Sequence, residues 1–344
     1  MITRFELKNF RKLENLELDF NQKLTILTGR NAVGKTSVLE AIYLIATLKS
    51  ERVNNLEYLI KYDTPFSKVK LVDDDTTYEV VLSNKSRKYF INGKEIDKAK
   101  EFVGKFRSVY FSPDDTLLIT DSPIVRRHFM DLEISMLNKK YLETLVNARF
   151  YLKQRNEAIK SESDSTLLNL LTSEFSKESV KISKSRMKFI ELLNQKLKVI
   201  HPLISNGENL ELVYIASYDL NKPYESIANN LSKDKIFKNT TKGFHRDDFK
   251  VYLNSKEAVN YASMGQLKNI ALSIKLALVE VYEEYLGKSP LLLLDDVFSE
   301  LDKVRQANLI SFVNKRNQTI MTTNYLDVIP NELVSNAKVI EFKE

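Results

Sequence analysis

A chain of 344 residues can bury a core across about two domains, and its 43% hydrophobic and 28% charged residues are ordinary for a soluble globular protein. Its 52 Lys and Arg exceed its 46 Asp and Glu for a formal charge of +6, a mild bias toward a polyanionic partner. The lack of cysteine excludes disulfides and thiolate metal sites, and three scattered histidines (His128, His201, His245) exclude a histidine-built zinc site.

The N-terminus, Met1 to Glu6, carries charge where a signal peptide needs an apolar stretch. The nearest apolar run, Ala41 to Leu48, falls well short of the about 20 residues that span a bilayer, so a cytoplasmic location away from membranes is expected. Ile2 to Leu7, Leu16 to Phe20 and Leu24 to Thr28 read as strands, and the last leads into Gly29-Arg30-Asn31-Ala32-Val33-Gly34-Lys35-Thr36. That octapeptide matches the phosphate-cradling pattern G-x-x-x-x-G-K-[ST] in the strand–loop–helix context the motif requires. Gly29 and Gly34 let the backbone wrap phosphate, and the amides of Arg30 to Ser37 form an anion nest at a helix N-terminus. Lys35 would reach the β- and γ-phosphates of ATP, with a catalytic as well as a binding role, and the Thr36 hydroxyl would ligate Mg²⁺. The helix is predicted over Thr36 to Leu48. Strands follow at Val69 to Val72, Thr77 to Leu82 and Lys88 to Ile91, and Asn92-Gly93 predicts a hairpin turn.

From Ser122 onward the period becomes helical, through Phe129, Leu132, Met136, Tyr141, Leu145, Ala148 and Leu152. A polar break at Ser161 to Ser165 precedes a second helical pattern that Pro202 is expected to end. These two helices are expected to form an antiparallel hairpin too short for a coiled-coil arm. Lys181, Lys184, Arg186 and Lys188 lie on it, either as a solvated face or as a contact to phosphate backbone. After a strand near Leu210 to Ser217, Leu291 to Leu294 reads as a strand buried on both faces and ends in Asp295-Asp296. Asp295 would sit at the carboxyl end of that strand and hold the Mg²⁺ shell, and Asp296 would orient or deprotonate the attacking water. Asp302, closing Ser299-Glu300-Leu301-Asp302, is by itself a helix cap. A site assembled from both ends of the chain favours an α/β P-loop ATPase domain of ABC/SMC type, a mixed sheet with flanking helices, interrupted by an inserted α-helical lobe. The expected boundaries are 1–122 for the first half of the ATPase domain, 123–205 for the lobe and 206–344 for the second half.

Ser263-Met264-Gly265-Gln266, opening the helical pattern Ile270, Ile274, Leu278, resembles the ABC signature S-x-G-Q. Leu7-Lys8-Asn9-Phe10-Arg11, Phe111-Ser112-Pro113-Asp114-Asp115, Arg126-Arg127 with Asp131, Gly243-Phe244-His245-Arg246-Asp247-Asp248 and Tyr261-Ala262-Ser263 complete an ordered set. Together they resemble the RecF family, bacterial recombination mediators related to SMC-type ATPases, from the first strand to about Thr323. The resemblance implies that Ser263, Gly265 and Gln266 cap the γ-phosphate of ATP held by a second protomer, and that Asp302 belongs to a D-loop. Arg11 contacts phosphate on the resemblance, or is a surface residue near a turn on its own chemistry. His245 to Asp248 reads as a turn with a local ion pair, with no chemical role assigned. Met264 stands where the family usually has glutamine, and Asp-Asp replaces the Asp-Glu of transporters, which suggests slow hydrolysis. No histidine occupies the transporter switch position, where Thr323 or Asn324 is expected near the γ-phosphate.

The resemblance implies a DNA repair and replication protein of the DNA-damage (SOS) response, an ATP-dependent homodimer on double-stranded DNA or double-strand/single-strand junctions. It is expected to be a slow, DNA-stimulated ATPase that works with RecR and RecO to load RecA. The alternatives are a transporter nucleotide-binding subunit or another ABC-type ATPase not acting on DNA, an SMC-type tether, and a small-molecule phosphotransferase. The tether lacks its long arm, and the last leaves Ser263 to Gln266 without a use.

Overall fold

The computed structural model describes residues 1–344 except 206, 316, 317 and 344, and Glu300 without its side chain. Contacts divide the chain into a first unit of 1–115, 203–207 and 272–344 and a second of 116–202 and 208–271. Periodicity had placed the lobe at 123–205. Contacts group 208–271 with it as well, because side chains of the helices bond that segment, Arg126 to Asp248, Arg155 to Asp234 and Asn194 to the Leu212 backbone.

The first unit holds two sheets. The antiparallel one runs in the order β2 (Leu13–Asp19), β1 (Ile2–Phe10), β4 (Phe66–Asp73), β5 (Thr76–Ser83), β6 (Arg87–Ile91), β7 (Lys94–Glu95). Its alternation buries Phe5, Leu7, Val69, Leu71, Val80 and Leu82, as a sheet with one face on the core requires. Asn92-Gly93 makes the expected two-residue turn, with both residues at positive φ and Ile91 opposite Lys94. The parallel sheet runs β14 (Lys338–Glu341), β3 (Leu24–Thr28), β13 (Thr319–Thr323), β12 (Leu291–Asp295), β8 (Ser108–Phe111). β3, β8, β12 and β13 are buried at every position, which explains sequences that are apolar or small-polar, with tyrosine once in β8, up to the closing Asp295 of β12. Helix α1 (Lys35–Thr47) follows β3 directly. The ATPase-type α/β fold is thus present, its strands partitioned between two sheets.

The second unit contains helices α2 (Pro123–Leu137), α3 (Lys139–Lys160) and most of α4 (Ser165–Ser205), with β9 (Leu210–Ile215), β10 (Asp248–Leu253) and β11 (Lys256–Glu257) as a small sheet. The single helix expected through Phe129 and Leu152 is broken at Asn138. Its side chain caps α3 by accepting from the amides of Lys140 and Tyr141, an asparagine preference that hydrophobic period alone does not register. α3 and α4 fold back on each other, tied by Arg155 donating to Thr172 at 2.9 Å and by Ala158, Ile159 and Leu168. Pro202 does not end α4, which reaches Ser205. A proline this near the end forfeits one backbone bond, and the last carbonyls find side-chain donors: Asn308 to Leu203 and Arg305 to Ile204.

Two of the unassigned sequence motifs are internal braces of the second unit. Arg126 forms a bidentate pair with Asp248, at 2.7 and 3.0 Å, and Arg127 donates to the Asp247 carbonyl. The Asp247 carboxylate accepts from Ser183, Tyr214 and the Ser217 amide. Arg186, 1% exposed, is fixed by Asp131 at 2.7 Å and by the Phe244 carbonyl, so it belongs neither to a solvated face nor to a phosphate-contacting one, the two alternatives for this basic stretch. Burial pushes the Tyr141 hydroxyl, which donates to Asp131 at 2.6 Å, well above its ordinary pKa. Asp131→Ala strands the Arg186 charge in this interior. It is expected to cost about 3–5 kcal/mol in denaturant unfolding, against under about 1 kcal/mol for the exposed pair broken by Lys181→Ala. Equal effects of the two variants would show that Arg186 finds another partner.

Candidate nucleotide site

β3 delivers the chain into the glycine loop, and α1 carries it away. Gly29 sits at φ 141° and Gly34 at φ 111°. A Cβ at Gly29 would run into the backbone carbonyl oxygen of Phe342, and at Gly34, where the neighbouring Leu13 side chain could yield, the positive φ itself strains any other residue. Lys35, 7% exposed, folds its ammonium back onto the carbonyls of Gly29 (2.6 Å) and Arg30 (2.8 Å) and onto Asn324 Oδ1 (3.2 Å). Burial draws its pKa below the ordinary lysine value, while the Asp296 and Asp295 carboxylates oppose that shift.

The register of the parallel sheet brings the second motif to the first. β12 lies beside β13, with Asp295 opposite Thr322, and β13 lies beside β3, with Thr323 opposite Thr28. Thr36 and Asp295 are 259 positions apart in sequence, yet the Thr36 hydroxyl donates to Asp295 Oδ1 at 3.0 Å. Thr322 donates to the same oxygen at 2.6 Å and Tyr110 donates to Oδ2 at 3.0 Å. Thr36 and Asp295 offer oxygen donors only, the set a hard divalent cation takes. Among the described residues no cluster of three or more His, Cys, Asp or Glu competes as a metal site. Asp296 turns at φ 49°, receives Asn324 Nδ2 at 3.3 Å and lines the same cavity.

That cavity, of about 1160 Å³, is lined by the loop residues Asn31, Ala32 and Gly34 to Ser37 together with Asp295, Asp296, Thr322 and Asn324. Arg11, Lys12, Arg52, Glu57, Tyr58, Ile60, Lys61, Tyr62 and Pro113 complete the lining. Gly29, Arg30 and Val33 line a neighbouring hollow instead. Arg11 is not a loose surface group: it lines the cavity with its guanidinium bidentate on Glu40, at 2.7 and 3.0 Å, and Glu40 is 1% exposed. Thr323 spends its hydroxyl on the Tyr325 carbonyl, which leaves Asn324 as the polar side chain of that pair at the cavity. Tyr110, Thr322, Tyr58 and Tyr62 had no sequence signal as site residues. Only sheet register could have located the first two.

Ser263, Gly265 and Gln266 contribute nothing to the cavity lining. Ser263 opens helix α5 (Met264–Leu286) in a reciprocal cap: its amide donates to Gln266 Oε1 at 2.8 Å, and the Gln266 amide donates to its hydroxyl at 3.3 Å. Gln266 also donates to Glu208 at 2.6 Å. Ser263, Met264 and Gly265 are exposed, and a Cβ on Gly265 would meet nothing within 4 Å, so no packing within the chain requires glycine there. Asp302 caps helix α6 (Lys303–Asn314), accepting from the Arg305 amide at 2.9 Å and pairing with its guanidinium. The neighbouring Glu300 side chain lies outside the described residues.

The family model of the RecF/RecN/SMC N-terminal domain matches residues 1–332. The chain is 39% identical over 326 residues to the DNA replication and repair protein RecF of Acholeplasma laidlawii, covering 94% of this chain and 93% of that one. It is 36% identical over 361 residues to RecF of Bacillus cytotoxicus, covering 99% and 96%. Among solved structures it is similar to the recombination mediator RecF with ATP, of the RecFOR pathway, at a TM-score of 0.88 and 29% identity over 94% of this chain and 92% of that one. The Smc head domain of Pyrococcus furiosus matches at a TM-score of 0.56 and 16% identity over 99% and 92% of the two chains, a likeness of fold alone. No helix among the described residues is long and apolar enough to cross a membrane.

Proposed function

This chain belongs to the RecF family of SMC-type ATPases, and from that premise we propose that it is an ATP-dependent DNA-binding protein of recombinational repair and replication. The observation that carries the reading is the 3.0 Å contact between Thr36 and Asp295, which unites the phosphate loop and the acidic strand at one cavity. Lys35 leaves its carbonyl partners for the β- and γ-phosphates, and the amides of the loop hold the remaining phosphate oxygens. Thr36 and Asp295 hold Mg²⁺, which when bound neutralises charge on the phosphates. Tyr110 and Thr322 hold one oxygen each of the Asp295 carboxylate, so its orientation does not depend on the ligand. Asp296 accepts the proton of the attacking water, with Asn324 fixing the carboxylate's rotamer.

Two protomers close over two ATP molecules, each presenting the exposed Ser263–Gln266 cap to its partner's nucleotide. The closed dimer binds duplex DNA or a double-strand/single-strand junction through backbone phosphates, without reading bases. Hydrolysis removes the γ-phosphate that bridges the protomers, and DNA is released; DNA binding in turn accelerates a slow hydrolysis. RecR, RecO and, through them, RecA are the partners on this reading, and the setting is the cytoplasm.

Fluorescence anisotropy of a labelled gapped duplex, titrated with ATP, ADP or no nucleotide, tests the proposal. Tight binding with ATP alone supports it, and binding indifferent to nucleotide sinks it. Asp296→Asn should keep ATP affinity while phosphate release falls by about a hundredfold or more, the range of a lost general base, and ATP-bound dimers should accumulate. Unchanged phosphate release would remove Asp296 from the base role.

A further inference from the structure

We propose that Tyr58 and Tyr62 form the nucleobase end of the cavity and hold a purine by its ring faces, a proposal that rests on the reading of this cavity as the ATP site. The chain segments that line the cavity differ in chemistry. The loop and the ends of β12 and β13 supply the ammonium, hydroxyls, amides and carboxylates of the phosphate site, whereas the segment 57–62 supplies two tyrosines and Ile60 beside Glu57 and Lys61. Tyr58 is 68% exposed and Tyr62 is 88% exposed, an unusual degree of solvent contact for two large rings on one concave wall.

Their exposure is built into the backbone. Ile60 bridges to Phe10, the Arg11 amide donates to the Leu59 carbonyl at 2.7 Å, and the Lys61 amide donates to the Asn9 carbonyl at 2.9 Å. Arg11, anchored on buried Glu40, also donates to the Tyr58 carbonyl at 3.3 Å. The backbone between the two tyrosines is therefore fixed against the turn at Asn9 to Arg11, which pre-organises the segment that carries both rings.

The polar side chains around these rings are committed within the chain. Glu57 accepts from Asn55 at 3.1 Å, Lys61 pairs with Glu14 at 2.8 Å, and Arg11 and Arg52 both face Glu40. Lys12 remains as a flexible point charge that fits phosphate and imposes no base geometry. Ring area, and not a hydrogen-bonded base edge, is thus what this wall offers. Stacking of that kind tolerates any purine, and it contributes about 1–3 kcal/mol per base when tested by alanine substitution.

Calorimetry on the full chain with ATP, GTP and inorganic tripolyphosphate separates the possibilities. Tyr62→Ala should weaken ATP and GTP alike by about five- to hundredfold and leave tripolyphosphate unchanged, while Tyr62→Phe behaves as the parent protein. Quenching of ethenoadenosine triphosphate fluorescence should be lost in the Tyr58→Ala, Tyr62→Ala double variant. If that double variant binds ATP normally while Lys35→Ala does not, the phosphate site stands and the tyrosine wall is refuted. If Lys35→Ala also binds normally, the ATP reading of the cavity itself falls. A GTP affinity more than about a hundredfold below that of ATP would replace ring-face recognition with a specific base edge.

Discussion

Lys35→Ala is expected to reduce ATP affinity by at least about a hundredfold while the thermal melt of the protein stays unchanged. The ammonium sits within 3.2 Å of three oxygens supplied by Gly29, Arg30 and Asn324, all of them at or beside the cavity. Those carbonyls can turn to water when the lysine is removed, so the folded state loses little. The nucleotide loses much more. A triphosphate entering the site faces the carboxylates of Asp295 and Asp296, and the two arginines that line the cavity, Arg11 and Arg52, both face Glu40. Without Lys35 the amides and the helix N-terminus would have to offset both carboxylates alone. Lys35→Arg should rescue little, because a planar fork cannot follow the narrow course past Gly29 that a single ammonium takes. Calorimetric ATP binding within threefold of the parent protein would place the phosphate site elsewhere.

The residues that act along the backbone were legible in the sequence, and those that arrive through register were not. Gly29, Gly34, Lys35 and Thr36 stand at the fixed spacing of the phosphate-loop pattern within one continuous loop, so spacing reveals that loop. Asp295 was legible because a strand buried on both faces has to be apolar up to its end. Tyr110 and Thr322 reach the same carboxylate only because β8 and β13 flank β12 in one particular register, which no local pattern encodes. The Arg126–Asp248 and Arg186–Asp131 braces show the opposite failure. Their motifs were visible, but conspicuous charge in a sequence does not say whether its partner is a ligand or another side chain. Helix boundaries were misread at Asn138 and Pro202 for a shared reason: end effects there outweigh periodicity, through a side-chain cap in one case and borrowed donors in the other.

Ser263→Arg is expected to abolish ATP-dependent dimerisation while ATP affinity stays within about twofold of the parent protein. The substitution removes a helix cap worth about 1 kcal/mol, a small loss for a helix that runs from Met264 to Leu286 and is largely buried beyond its first turn. None of the cavity-lining residues comes from this turn, so nucleotide binding to the isolated protomer has no reason to change. The external surface of the turn changes drastically. An exposed hydroxyl beside Gly265, where a Cβ would meet nothing of the chain itself, becomes a long cationic side chain on the face proposed to close on a partner's phosphates. Ser263→Thr keeps the cap and the hydroxyl and should dimerise, which separates loss of the cap from obstruction of the face. Light scattering with ATP reads the outcome directly, as a mass that stays at 39.9 kDa or doubles. A Ser263→Arg protein that doubles its mass with ATP would show that the turn is not part of the closing surface. One that fails to bind ATP at all would show that the turn serves the nucleotide of its own chain.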